Sequence, residues 1–310
     1  MATVLITGGT GLIGKELSKL LLQKGDEVII LTRKIPAIGH RSSAIGLHYA
    51  EWDIEKQTID STAIQQTDFI IHLAGAGVAD KRWSPKRKKE IVDSRIQSSA
   101  LIIKSLKETP NKVKAVISAS AIGWYGADPS IPNINPFTEG DKPDSKFLGD
   151  TCRLWEESIE PVTSMDIRLV ILRTGIVLSK KGGALKEFIK PLRSGIAAIL
   201  GNGKQMISWI HIDDLCRMYV DAIENASRSG VYNAVAPYPV DNKTLVLDLA
   251  RQMRGRFFIT LYVPSFILKW MLGEMSIEVL KSATVSANKI RETGFQFLFP
   301  TIESALKQSW

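Results

Sequence analysis

The chain has 310 residues, 45% hydrophobic and 23% charged, with a net charge of +8 and two cysteines. That length suits one large α/β domain with an appendage, or two domains, and buries roughly three quarters of the unfolded surface without a covalent staple. Cys152 and Cys216 cannot form a disulfide framework, so a reducing cytoplasm is the expected compartment. No apolar run reaches about 18 residues, and the N-terminus lacks a basic region leading into a long apolar one. Neither a membrane span nor a signal peptide is therefore expected.

The first elements form a β-α-β unit. Val4-Leu5-Ile6 is a short apolar strand. Leu12 to Lys24 follows as a helix, because Leu12, Ile13, Leu17, Leu20 and Leu21 recur at helical spacing and share one face. Gly25 can take the left-handed conformation that ends a helix, and Glu27 to Leu31 is the second strand. Further strands are expected at Leu47 to Trp52, Phe69 to Leu73, Ala115 to Ser118 and Arg168 to Leu172. Helices are expected near Lys86 to Lys107 and Gly149 to Ile159. Strands alternating with helices imply a parallel sheet covered on both faces. Asp128 to Pro143 holds four prolines and reads as a functional loop. Beyond Gly182 the pattern is a smaller, mostly helical substrate-side region. Residues 1–178 are thus expected to form the nucleotide-binding core and 179–310 the substrate side, with 205–236 returning to the core and 257–305 forming a small C-terminal domain.

The turn from the first strand into the first helix carries Gly8, Gly11 and Gly14. In a dinucleotide-binding turn the first glycine makes the tight bend, the second lets backbone approach a pyrophosphate, and the third packs helix on sheet. Free N–H groups at the helix start then face the phosphates. Strand before and helix after supply the context this motif requires, so the fold is expected to be a Rossmann-type doubly wound sheet binding a nicotinamide dinucleotide. Thr10, Leu12 and Ile13 complete the phosphate-binding turn. The second strand ends Thr32-Arg33-Lys34, with no acid to bind a ribose 2′-hydroxyl. A guanidinium suits a 2′-phosphate instead, so NADP is expected over NAD. Asp53 and Ile54 are placed to contact the adenine, and Leu73, Ala74 and Gly75 to line the nicotinamide ribose.

Together these features resemble the extended short-chain dehydrogenase/reductases, the group that includes nucleotide-sugar epimerases and dehydratases. The matching pieces continue through Ser118 to Gly126, Thr138-Glu139, Arg173 to Val177 and Ser208 to Asp214. Lys81 to Trp83, Ser94 to Ile96, Phe147-Leu148 with Trp155-Glu156, and Gly294 to Thr301 resemble one atypical branch of that family, which carries a small C-terminal domain of unknown function. The resemblance implies NADP(H) binding, with Gly175, Ile176 and Val177 beside the nicotinamide. It also implies a small-molecule substrate, anionic or nucleotide-sugar-like.

The family does its chemistry with a tyrosine, a lysine four residues later, and a serine. No tyrosine here has lysine at that spacing: Tyr49, Tyr125, Tyr219, Tyr232, Tyr238 and Tyr262 are followed by Asp53, Pro129, Ile223, Ala236, Asn242 and Phe266. The tyrosine slot falls at Leu148 and the lysine slot at Cys152. Ser118 or Ser120 remains for the serine role, and Tyr125 is a substitute acid or a packed aromatic. Cys152 reads as a small buried helix residue, His72 as a core histidine, and Asp213 or Asp214 as the cap of the next helix. Scattered histidines and cysteines give no metal-ligand spacing. The basic run from Lys81 to Lys89 is interrupted by Trp83, Ser84 and Pro85 and followed by Glu90 and Asp93. It reads as a solvated helix face, and Lys81, Arg82 and Trp83 read equally as a grip on an anionic or planar substrate group. No nucleic-acid motif accompanies the charge. The expected function is an NADP-dependent oxidoreductase or epimerase-like enzyme with a non-standard active site. The alternative is an NADP(H)-binding regulatory or scaffold protein without catalysis.

Overall fold

The computed structural model describes residues 1–35 and 45–308. β1 (Thr3–Thr7), β2 (Glu27–Thr32) and β3 (Leu47–Asp53) are parallel neighbours, and the short β4 (Thr58–Ile59) closes that edge antiparallel to β3. The chain then returns to the other side of β1 with β5 (Phe69–His72), β6 (Ala115–Ala121) and β7 (Arg168–Thr174). The sheet order reverses between β1 and β5. That switch point leaves a crevice outside the carboxyl ends of the strands, where ligands of such folds bind.

The strands are buried on both faces and accordingly carry near-continuous apolar sequence. Val4, Leu5 and Ile6 are fully enclosed, as are Ile70 and Ile71. On one face α1 (Leu12–Gln23) packs beside a later helix through Leu17, Leu21, Leu215 and Tyr219. On the other, α2 (Ser61–Gln66) and α3 (Pro85–Glu108) bury Ile64, Leu101 and Ile102. α3 starts where its chemistry says it should: Pro85 occupies the first turn, and the Ser84 side chain accepts from the Arg87 N–H. α4 (Phe147–Ile159) lies against α3.

After β7 the chain adds β8 (Ile176–Leu178), α5 (Ala184–Arg193), β9 (Ile196–Leu200), β10 (Met206–Ile207) and β11 (Trp209–His211). α6 (Ile212–Glu224) is the helix beside α1, and β12 (Gly230–Ala234) joins the main sheet next to β7. β13 (Val240–Asp241), α7 (Asn242–Arg254) and β14 (Ile259–Val263) follow, then α8 (Ser265–Leu272), α9 (Ser276–Leu280), α10 (Asn288–Glu292) and α11 (Ile302–Gln308). A separate apolar core of Leu185, Ile189, Leu245, Leu249 and Ala305 ties α5, α7 and α11 together. Among the described residues no helix is long and apolar enough to cross a membrane.

Two carboxylates fasten the C-terminal segment to the core. Asp128 accepts from the Thr284 N–H, the Thr284 hydroxyl, the Ser282 hydroxyl and Asn133 Nδ2. Asp214 is fully buried and accepts from the Leu298 and Phe299 N–H groups at 2.8 and 2.9 Å. It therefore does not cap α6. That role falls to His211, whose Nδ1 accepts from the Asp213 N–H at 3.2 Å. The reason is positional: the capping residue must be extended, as His211 is, while Asp213 and Asp214 already lie in the first turn.

Candidate functional site

The crevice floor is set by a short polar chain between β1 and β5. Thr7 Oγ1 accepts from the Leu73 and Ala74 N–H groups, both at 3.1 Å, so its proton goes to His72 Nδ1 at 2.8 Å. His72 Nε2 then carries the ring proton toward Ser99 Oγ at 3.2 Å. Burial, with the Arg95 charge adding to it, pushes the imidazole down to about 3, so His72 is neutral and structural. This lock holds Leu73 and Ala74 over β1. Gly8, at φ +69°, is the matching surface, since a Cβ there would stand 2.9 Å from the Leu73 carbonyl.

The three glycines of the turn do different work. A Cβ on Gly14 would collide with Gly9 Cα at 2.5 Å, so Gly14 is the helix-packing position. A Cβ on Gly11 would meet only the Gly8 carbonyl oxygen, at 3.2 Å, and otherwise enters open space. Gly11 is the N-cap of α1 and provides no side-chain cap. The Leu12 and Ile13 N–H groups are consequently available, and Thr10 is exposed beside them. A pyrophosphate fits this cradle on both counts, with room and donors.

The remaining expected positions lie at or just beyond the carboxyl ends of the strands. Arg33 is exposed just beyond the end of β2, and Asp53 and Ile54 are half-buried at the end of β3. Asp53 Oδ1 turns back onto the N–H groups of Glu55 and Lys56 at 2.9 and 3.0 Å. Gly75 is exposed after β5. Gly175, Ile176 and Val177 lead out of β7, where Gly175 and Ile176 bond to Ala234 and Ser208 carbonyls. On the far side, Trp83 meets Phe147 edge-on at 4.9 Å, Lys88 pairs with Glu274, and Arg82 lies against Gly273. Arg82 and Lys88 therefore touch the C-terminal segment, so the run is more than a solvated face. Among the described residues no group of three or more His, Cys, Asp or Glu could hold a metal ion.

Beyond β6 lies a buried network whose partners the sequence reading did not join. Arg173, on β7, is forked onto Glu156 of α4, with Nε to Oε1 at 2.8 Å and Nη2 to Oε2 at 2.9 Å. Ser120 donates its hydroxyl to the same Oε1 at 2.6 Å. Arg173 Nη1 donates to the Tyr125 hydroxyl at 3.1 Å and to the Glu139 carbonyl at 3.2 Å. Its Cζ stands 3.6 Å over the Trp124 ring. Tyr125 in turn donates to Asn233 Oδ1 at 2.6 Å and stacks on Phe137.

This geometry corrects Tyr125 as a substitute acid. The residue is fully buried, its proton is committed to Asn233, and burial pushes the phenol up to about 12. It is the packed aromatic of the two readings. Ser118 is 1% exposed, and its hydroxyl donates to the Ala119 carbonyl, whereas Ser120 is wired to the ion pair. Leu148 and Cys152 lie beneath the Ile122–Trp124 turn, where a Cβ on Gly123 would stand 3.2 Å from Leu148 Cβ and 3.5 Å from Cys152 Sγ. Burial, and next the Glu156 charge, pushes the Cys152 thiol up to about 11, so it is no nucleophile at neutral pH. The missed signal for buried charge lies on α3. Arg87 and Arg95 fall on the same helical stripe as Ile91, Ile102 and Leu106.

A profile of the NAD dependent epimerase/dehydratase family matches residues 4–235, and a profile described as Domain of unknown function (DUF1731) matches residues 263–309. The chain is similar to Epimerase family protein YfhF of Bacillus subtilis (strain 168). The two are 34% identical over 306 residues, 98% of this chain and 97% of the relative. The crystal structure of human epimerase family protein SDR39U1 (isoform 2) with NADPH superposes with a TM-score of 0.85. Identity is 28%, with 99% of this chain and 98% of the human chain covered. The nucleoside-diphosphate sugar epimerase from Corynebacterium glutamicum gives a TM-score of 0.77 at 30% identity, covering 99% of this chain and 58% of that one.

Truncating the acid of the buried pair isolates its structural weight. Glu156→Ala leaves the Arg173 guanidinium buried without its carboxylate, which costs about 3–5 kcal/mol. Urea unfolding should show that loss. A variant within about 0.5 kcal/mol of wild type, the range of surface substitutions, would mean the pair is effectively solvated.

Proposed function

Because the chain belongs to the NAD dependent epimerase/dehydratase family, we propose that it is an NADP(H)-dependent oxidoreductase of epimerase type whose active site works without a Tyr-x-x-x-Lys pair. The observation that carries this reading is the cradle at Gly11, where a Cβ would meet only the Gly8 carbonyl oxygen, with open space beyond, and the helix start has no side-chain cap. NADPH in the human relative supports the choice of cofactor. So does the end of β2, which presents Arg33 and Lys34 where an acid would repel a 2′-phosphate.

When bound, the cofactor accepts or supplies a hydride at the nicotinamide. The chain's own residues bind and orient. In this proposal Leu12 and Ile13 donate backbone N–H groups to the pyrophosphate, and Arg33 forks onto the 2′-phosphate. Asp53 and Ile54 border the adenine, Leu73 to Gly75 line the nicotinamide ribose, and Gly175 to Val177 flank the ring. Between the two serines we assign the substrate contact to Ser120. Ser120 is 3% exposed and its proton is already given to Glu156, so in this proposal its oxygen meets a substrate hydroxyl as acceptor. A proton arriving at Ser120 Oγ is matched by one passing to Glu156. Lys81 and Arg82, exposed beside Trp83, favour an anionic substrate such as a nucleotide-sugar. The second reading, NADP(H) binding without turnover, rests on the substitution of Leu148 and Cys152 for the tyrosine and lysine.

The cofactor half is tested by titration. NADP should bind more tightly than NAD, and Arg33→Ala should weaken NADP by about one to two decades while leaving NAD alone. Equal affinities for the two cofactors would remove the basis for NADP.

Gly11→Val should fold and lose dinucleotide binding, because the branched side chain fills the pyrophosphate space. Unchanged affinity would reduce the motif to a structural turn.

Chemistry is read by following NADPH absorbance on carbonyl substrates and product stereochemistry by NMR on nucleotide-sugars. Ser120→Ala should lower kcat by about 10²–10⁴-fold. Tyr125→Phe should leave the pH–rate profile unmoved through the neutral range, since a phenol at about 12 stays protonated there. Tight NADPH binding with no turnover on a broad panel would favour the second reading.

A further inference from the structure

Four arginines are buried among the described residues: Arg87, Arg95, Arg173 and Arg228. Three of them sit on carboxylates. Arg87 pairs with Glu90 and Asp80, Arg173 with Glu156, and Arg228 with Asp221. Arg95, 8% exposed, has no carboxylate within 4.0 Å among the described residues. A guanidinium stays charged, and a buried charge is tolerated only when something compensates it.

Its surroundings say where the compensation must come from. The side chain leaves the buried stripe of α3 and lays its guanidinium 4.7 Å over the Trp155 ring of α4. Nη1 donates to the Ile91 and Ala76 carbonyls at 2.8 and 3.1 Å. A Cβ on Gly75 would stand 3.1 Å from Arg95 Cζ, so the cation lies directly against the segment after β5. Nε and Nη2 bond to nothing among the described residues. Neither is among the sealed, partnerless atoms there, which are Arg87 Nε, Trp155 Nε1 and the Tyr219 hydroxyl. The nearby Cys152 thiol, raised to about 11 by burial, is no counter-ion at neutral pH.

We propose that Arg95 is the cation of the nicotinamide half of the cofactor site, donating from Nε and Nη2 to the hydroxyls of the nicotinamide ribose. Cys152 occupies the position where the family carries its lysine, on α4. Here the positive charge reaches the same corner from α3, behind Gly75. The proposal rests on the NADP(H) reading above and adds one ligand contact to it. No covalent step is involved.

The test separates the two halves of the cofactor. Arg95→Gln is titrated with NADPH and with 2′,5′-ADP, which carries the adenosine 2′-phosphate but no nicotinamide ribose. NADPH should weaken by about 10- to 100-fold, the range for charge-assisted hydrogen bonds, while 2′,5′-ADP binds as to wild type. Arg95→Lys should fall between. A folded Arg95→Gln that binds NADPH like wild type overturns the proposal, and so does equal weakening of both ligands. Should the glutamine variant not fold, wild type is titrated with NADPH lacking both hydroxyls on the nicotinamide ribose. About tenfold loss or more supports the contact, and equal affinity overturns it. Wild type that binds neither NADPH nor 2′,5′-ADP would sink the cofactor reading itself, and this inference with it.

Discussion

The fork between Arg173 and Glu156 is the constraint on which the site side of the molecule depends. Both side chains are nearly sealed from water, at 3% and 8% exposure. A buried pair is tolerated only when geometry is good and the remaining donors are used. That requirement recruits the neighbours. Ser120 of β6 takes a share of Oε1, Tyr125 and the Glu139 carbonyl take Nη1, and Trp124 covers the face of the guanidinium. Through Tyr125 the network reaches Asn233 of β12, whose N–H returns to Glu139 Oε1. One ion pair thereby fixes the relative placement of β6, β7, β12, α4 and the loop before α4. It also commits the Ser120 proton to Glu156.

The other side of the crevice is held by smaller forces of the same type. Thr7 uses all three of its hydrogen-bonding capacities at once, two lone pairs on Leu73 and Ala74 and one proton on His72. The β1–β5 switch point is therefore a rigid seam. Gly8 and Gly75 allow backbone and a guanidinium to approach it closely. A rigid seam suits a site that must hold a long, flexible dinucleotide in one pose, because the loss of ligand freedom is then not compounded by ordering of the protein.

Charge is distributed along that seam in a way the net value of +8 does not convey. Arg33 and Lys34 stand exposed at the β2 end, while Arg95 is buried behind Gly75 at the β5 end. Arg82 lies against Gly273 and Lys88 pairs with Glu274, both in the C-terminal segment. The C-terminal residues are anchored to the core by Asp128 and Asp214 across more than eighty residues of chain.

Local physics made the scaffold readable from sequence alone. Unbroken apolar runs such as Val4 to Ile6 announce strands buried on both faces, three- and four-residue spacing announces α1, and glycine spacing announces the cradle, because each depends on neighbours within one or two turns of chain. The absence of an acid after β2 and of lysine four residues after any tyrosine was equally visible. What only the tertiary structure decided is which polar groups meet. Tyr125 finds Asn233 108 residues away, Glu156 finds Arg173 across a helix and a strand, and His211 takes the cap expected of Asp213 or Asp214. A hydroxyl, carboxylate or guanidinium carries no periodic signature of its partner. Whether it becomes a proton donor, a cap or a buried tie is set by the topology that places it against a complement or, as with Arg95 among the described residues, against carbonyls and a ring but no carboxylate.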